Sequence, residues 1–86
     1  MAWELLVTKS AQKDLAKLPP RDRERVRAAL RAMSEKPFSG DIVRLKGQND
    51  TAWRRRVGDW RILYDLIISQ RLIVVTAILR RTSTTY

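Results

Sequence analysis

The hydrophobic period of this chain changes at Gly40, and that single change sets the order in which its elements can fold. On the amino-terminal side Ala11, Leu15 and Leu18 recur at i, i+4 and i+7 among Lys9, Lys13, Asp14 and Lys17, the spacing of an amphipathic helix. Thr8 or Ser10 can cap it and Pro19 stops it, leaving room for about three turns. Pro20 suits the first turn of a second helix. Val26, Ala29, Leu30 and Met33 line one face of that helix, Arg21, Arg23, Glu24, Arg27 and Arg31 line the other, and Lys36-Pro37 closes it. Beyond Gly40 β-branched and aromatic residues accumulate, and residues 42–45, 52–57, 60–68 and 72–79 are expected as strands. Residues 46–50, Gly58-Asp59 and Ser69-Gln70 supply the turns, Gly58-Asp59 being short enough for a tight hairpin. An opening strand at residues 2–7 completes the order βααββββ.

Such an order predicts an α+β fold, with two amino-terminal helices packed on one face of a mainly antiparallel four- to five-stranded sheet and the other face open. At 86 residues the chain is expected to form one domain, residues 1–86. It contains no cysteine, and histidine is absent too. Disulfide scaffolds, thiol nucleophiles, Ser-His-Asp chemistry and the usual zinc sites are therefore excluded, and no metal or other cofactor is expected. The start Met1-Ala2-Trp3-Glu4 lacks a basic leader, and the longest apolar run, Leu72 to Leu79, is too short to span a bilayer, so the expected location is the cytoplasm without a membrane partner. Lys plus Arg number 18 against 9 Asp plus Glu, a net charge of +9. That imbalance points to nucleic acid or another polyanion.

The carboxy-terminal half carries Arg44, Lys46, Arg54, Arg55, Arg56, Arg61, Arg80 and Arg81. Alternation sorts them: Arg54 and Arg56 share one sheet face, and Trp53, Arg55 and Val57 share the other. If the strands pair across Gly58-Asp59, then Trp53, Val57, Trp60, Ile62 and Tyr64 pack under the helices, while Arg54, Arg56 and Arg61 converge on the open face. Like charges opposed across strands cost stability, so their convergence suggests a phosphate-binding face. Arg55 is turned toward the core and must pair with a carboxylate such as Asp59 or Asp65, or reach a sheet edge. Trp3, Trp53 and Trp60 read as core residues. Tyr86, last in a polar tail, is a candidate for stacking on a base.

Arg44-Leu45-Lys46-Gly47, then Trp53-Arg54-Arg55-Arg56-Val57-Gly58-Asp59-Trp60-Arg61-Ile62-Leu63-Tyr64, and the ending from Ala77-Ile78-Leu79-Arg80-Arg81 to Tyr86 carry a resemblance. Together with the segment from Ser10 to Pro19, they resemble the RelE branch of the RelE/ParE toxin superfamily over nearly the whole chain. The resemblance implies a small bacterial toxin that cleaves mRNA in the ribosomal A site and is held inactive by a cognate antitoxin. It also implies site residues: Arg54 and Arg56 at the two basic positions of one strand, Arg61 at the scissile phosphate, Arg80 or Arg81 as the late-strand arginine, and Tyr86 as the terminal tyrosine. Arg44, Lys46, Arg54, Arg56 and Arg61 would hold RNA.

Metal-free RNA cleavage needs the 2′-OH aligned on the adjacent phosphate, charge stabilisation in the transition state, and a base and an acid. Arginine's planar fork binds phosphate oxygens in pairs, but its pKa above about 12 makes it a poor base. In the best-known enzymes of the branch the strand positions of Arg54 and Arg56 hold lysine. The arginine set therefore leaves the base unassigned. Two other functions fit the same charge: a ParE-like inhibitor of DNA gyrase, and a non-catalytic RNA- or ribosome-binding module.

Overall fold

A computed structural model describes residues 3–45 and 52–80. Strand β1 (Glu4–Val7) ends at Thr8, whose extended backbone and side chain cap the first helix: Thr8 Oγ1 accepts from the Ala11 N–H at 3.2 Å. Helix α1 (Lys9–Ala16) is eight residues long, two turns rather than the expected three. Its last turn tightens before Pro19, the N–H groups of Lys17 and Leu18 bonding the carbonyls of Asp14 and Leu15, three residues back, at 3.2 Å. Helix α2 (Pro20–Glu35) begins with proline in its first turn and buries Val26, Ala29, Leu30 and Met33, the stripe its period predicts.

Past Gly40 the chain forms β2 (Ile42–Arg44), β3 (Ala52–Val57), β4 (Trp60–Ile67) and β5 (Leu72–Arg80). The sheet has five strands in the order β1-β5-β4-β3-β2; β1 runs parallel to β5 and every other pair is antiparallel. This is the expected α+β architecture. Gly58 at φ 58, with no positive φ at Asp59, gives the β3–β4 hairpin the pattern of a II′ turn. Strand β4 stops at Ile67, one residue before its expected end, because Ile68–Gln70 form a single 3₁₀ turn and Arg71 is left-handed at φ 50.

The helices cover one sheet face. Beneath them lie Ile62, Tyr64, Leu66, Ile73, Val75 and Ile78, all buried, with Trp3, Trp53, Val57 and Trp60 partly buried against them. The tryptophans thus pack as core residues. Between Leu63 and Tyr64 the β4–β5 register slips by one, so that Leu63 faces Ala77 but Tyr64 faces Val75. Thr76 is the extra residue, and its hydroxyl donates to the Leu63 carbonyl at 3.2 Å. Because of this bulge the inward positions of β5 change from odd numbers, Ile73 and Val75, to even, Ile78.

Candidate nucleic-acid interface

Three arginines meet on the face that the helices leave open. Arg55 is opposite the buried Ile62, and Trp53 opposite the buried Tyr64, so the intervening Arg54 and Arg56 point away from the helices. Arg56 is paired directly with Arg61, and Arg54 with Leu63. Directly opposed side chains start about 5 Å apart at Cβ, close enough that two guanidinium groups repel unless an anion lies between them. Among the described residues no ion pair joins these arginines to a carboxylate; the pair that does form, Arg27 with Glu24 at 3.2 Å, is on the exposed side of α2. Arg54 and Arg61 are half-buried by their neighbours and Arg56 is exposed. Beside them the same face is apolar, formed by Leu6, Leu63, Val74, Ala77 and Leu79, with Leu6 52% and Leu79 47% exposed. Asp65, opposite Ala52 on β3 and Val74 on β5, also points outward here.

The other candidate residues do not all join this set. Arg44 is opposite Trp53, so its side chain leaves β2 on the helix side of the sheet. Arg80 is opposite Trp60, with its guanidinium carbon 5.7 Å from the indole centroid, again on the helix side. Strict alternation from Ile73 would have sent Arg80 to the open face; the bulge at Thr76 reverses it. Lys46, Arg81 and Tyr86 lie outside the described residues.

Arg55 takes the second of its two expected routes. Its Nη1 donates to the Ser39 carbonyl at 3.3 Å at the sheet edge, and the guanidinium lies flat against Gly40, where a Cβ would come within 2.9 Å of it. Glycine is favoured there by φ 89, while the guanidinium, at the end of a flexible side chain, could shift to admit a Cβ. The neighbouring Tyr64 is 1% exposed, and its hydroxyl has no hydrogen-bond partner among the described residues. Burial pushes the Tyr64 phenol above its ordinary 10.0, and the positive charge of Arg55 opposes that rise.

Two further basic features escaped the sequence reading. Arg25 of α2 rests against Gly58 at the hairpin tip, where an added Cβ would meet its Nη2 at 2.9 Å. Only the tertiary contact shows this, since α2 period alone leaves Arg25 among many exposed arginines. A groove of about 290 Å³ between α1 and α2 is lined by Gln12, Leu15, Ala16, Arg23 and Arg27. There Arg23 donates from Nη2 to the Leu18 carbonyl at 3.2 Å, while its buried Nε has no hydrogen-bond partner among the described residues.

Two helices on one side of a mainly antiparallel sheet are the architecture of the RelE toxins. Solved structures agree in fold. The RelE–RelB complex of Pyrococcus horikoshii superposes with a TM-score of 0.84 at 23% identity, covering 98% of this chain and 100% of that one. The isolated RelE toxin of Escherichia coli gives 0.81 at 20%, covering 96% of this chain and 88% of that one. In sequence, a protein of Methanocaldococcus jannaschii that carries the toxin name RelE1 is 31% identical over 84 residues, 94% of this chain and 92% of the relative. The model of the ParE toxin of type II toxin–antitoxin systems matches residues 5–84. The chain belongs to that toxin family.

Proposed function

We propose that this toxin, acting as one domain over residues 1–86, is an endoribonuclease that cleaves mRNA in the ribosomal A site without a metal. The observation that carries the reading is the convergence of Arg54, Arg56 and Arg61 on the sheet face that the helices leave open, none of the three in an ion pair among the described residues. A phosphodiester bound over the row of Arg54 and Leu63 lies within reach of all three guanidinium groups, because adjacent rows on one face are about 6–7 Å apart along the strands. Arg54 and Arg56 position and neutralise the phosphate, and Arg61 stabilises the charge that grows on the phosphorus oxygens as the 2′-OH attacks. The late-strand role falls to Arg81, since Arg80 stands over Trp60 on the other face. Tyr86 stacks on a base or assists proton transfer, and Lys46 adds RNA contact. Acting on ribosomes places the toxin in the cytoplasm, and among the described residues no helix is long and apolar enough to cross a membrane.

A cognate antitoxin is the proposed protein partner. Two surfaces support one: the apolar half of the open face, which exposes Leu6 and Leu79, and the cationic groove between the helices. The solved relative from Pyrococcus horikoshii is itself a complex of RelE with RelB.

The match to the ParE toxin model favours one other reading, inhibition of DNA gyrase. Side-by-side assays separate the two. Messenger RNA cut in a translating extract, with gyrase supercoiling unimpaired, supports the ribonuclease. Blocked supercoiling with intact mRNA supports the gyrase inhibitor.

A further inference from the structure

Arg54, Arg56 and Arg61 can bind and neutralise a phosphate, but a guanidinium cannot take a proton at neutral pH. There is no histidine in the chain. Lys9 and Lys13 belong to α1, Lys17 follows it, and Lys36 follows α2, so all four lie in the helical layer, across the sheet from Arg54, Arg56 and Arg61. Asp59 sits in the hairpin turn beyond the end of the pleat. Glu4 points to the open face from β1, three strands and about 14 Å from Arg54. Among the described residues the register brings two carboxylates to the arginines: Asp41, which precedes β2 opposite Arg56 and whose carbonyl accepts the Arg56 N–H at 2.9 Å, stands in the tip row beside the cations, and Asp65 stands on the other side of Arg54. Asp65 projects from β4 on the same face as Arg61, and it is diagonal to Arg54, because Arg54 pairs with Leu63 and Ala52 with Asp65. Diagonal neighbours on one face are about 7–8 Å apart, within the combined reach of an arginine and a bound ribose. Asp65 is also engaged with a neighbour.

From this placement we infer that Asp65 is the general base of the cleavage reaction, an inference that rests on the ribonuclease reading above. The three rows run in order along the hairpin: Arg56 with Arg61, Arg54 with Leu63, Ala52 with Asp65. A phosphate over the middle row has cations on its tip side and a carboxylate on the opposite side, which is the polarity that in-line displacement requires. The Asp65 carboxylate takes the proton of the 2′-OH. The 2′ oxygen forms a bond to the adjacent phosphorus, and the bond from phosphorus to the 5′ oxygen breaks. That oxygen leaves toward Arg56 and Arg61 and acquires a proton from water, while Asp65 returns its own to solvent. The products are a 2′,3′-cyclic phosphate and a 5′-hydroxyl, with no net change in protons. The isosteric Asp65→Asn keeps the size of the side chain and loses the base.

The test is single-turnover cleavage of mRNA on programmed ribosomes across a range of pH, using the full chain, Asp65→Asn and Asp65→Glu. A general base contributes about 100- to 10,000-fold. Asp65→Asn should therefore slow cleavage at least about 100-fold while binding programmed ribosomes as the unaltered chain does. The rise of the rate with pH on the acid side should disappear in Asp65→Asn and return in Asp65→Glu. Asp65→Asn cleaving at the unaltered rate would overturn the inference. So would a loss equal at every pH with the acid-side rise intact, which is the mark of a structural role. If the unaltered chain itself leaves ribosome-bound mRNA whole, the ribonuclease reading fails, and this inference fails with it.

Discussion

Arg61 and Arg56 face each other across a strand pair, an arrangement that costs stability unless it serves an anion. In the proposed ribonuclease Arg61 meets charge that develops in the transition state, so Arg61→Ala should lower single-turnover cleavage by about 100-fold or more and weaken ribosome binding far less. Equal losses in both would make Arg61 a binding residue only. Arg80 stacks on Trp60 on the opposite face, so Arg81→Ala should lose much more cleavage than Arg80→Ala in the same assay, and the reverse order would show that Arg80 leaves the indole when RNA binds. Tyr64 offers a test of stability. The folded state keeps the phenolic proton above pH 10, where the unfolded chain has begun to release it. Stability should therefore be full below about pH 10 and fall as pH climbs from there through the raised value. Tyr64→Phe should remove that alkaline loss in pH-dependent denaturation. By deleting a buried hydroxyl with no described partner, it should also raise stability at neutral pH by about 1 kcal/mol. The sequence showed that Arg55 faced inward and needed an outlet, but its acceptor is the backbone carbonyl of Ser39, a group that no residue-type pattern marks.

At the scale of elements, alternation and helical period were enough to find both helices and all five strands, because each buries one stripe and leaves the other in solvent. Alternation failed at β5. One extra residue, Thr76, carries no compositional mark, yet it reverses the face of everything after it and so moves Arg80 away from Arg61. Arg44 was equally unreadable, since the face of a three-residue edge strand is set by its register against β3. The parallel pairing of β1 with β5 leaves a free edge where β1 ends. Thr8 bonds the Val75 carbonyl through its N–H at 3.0 Å, and beyond it the Asp14 carboxylate accepts the Ile78 N–H at 3.0 Å. Helix α1 thus seals by a side chain the amide that β1 is too short to reach. Asp14→Ala should cost about 1–2 kcal/mol in chemical denaturation, and Asp14→Asn, which keeps an acceptor, less than half of that. Equal costs would mean that the bond to Ile78 contributes nothing.

For the whole molecule, the division of labour is between two faces of one sheet. One face, with the helices, holds the core; the helices leave the other open, and its described residues are partly apolar and partly cationic. A net charge of +9 draws a chain to polyanions in general, and in the proposed ribonuclease the placement of Arg54, Arg56 and Arg61 directs that attraction to one phosphate. The convergence of these three residues was legible because a two-residue turn fixes the β3–β4 register. Arg81 and Tyr86, the remaining members of the expected set, follow the last described residue. Ribosome-dependent cleavage is read by primer extension on a reporter mRNA in a reconstituted bacterial translation system, with free mRNA as the control. A ribosome-dependent ribonuclease should leave new 5′ ends at codon-spaced positions only when ribosomes are present. Intact mRNA in both lanes, or cuts on free mRNA at the same sites, would contradict that reading.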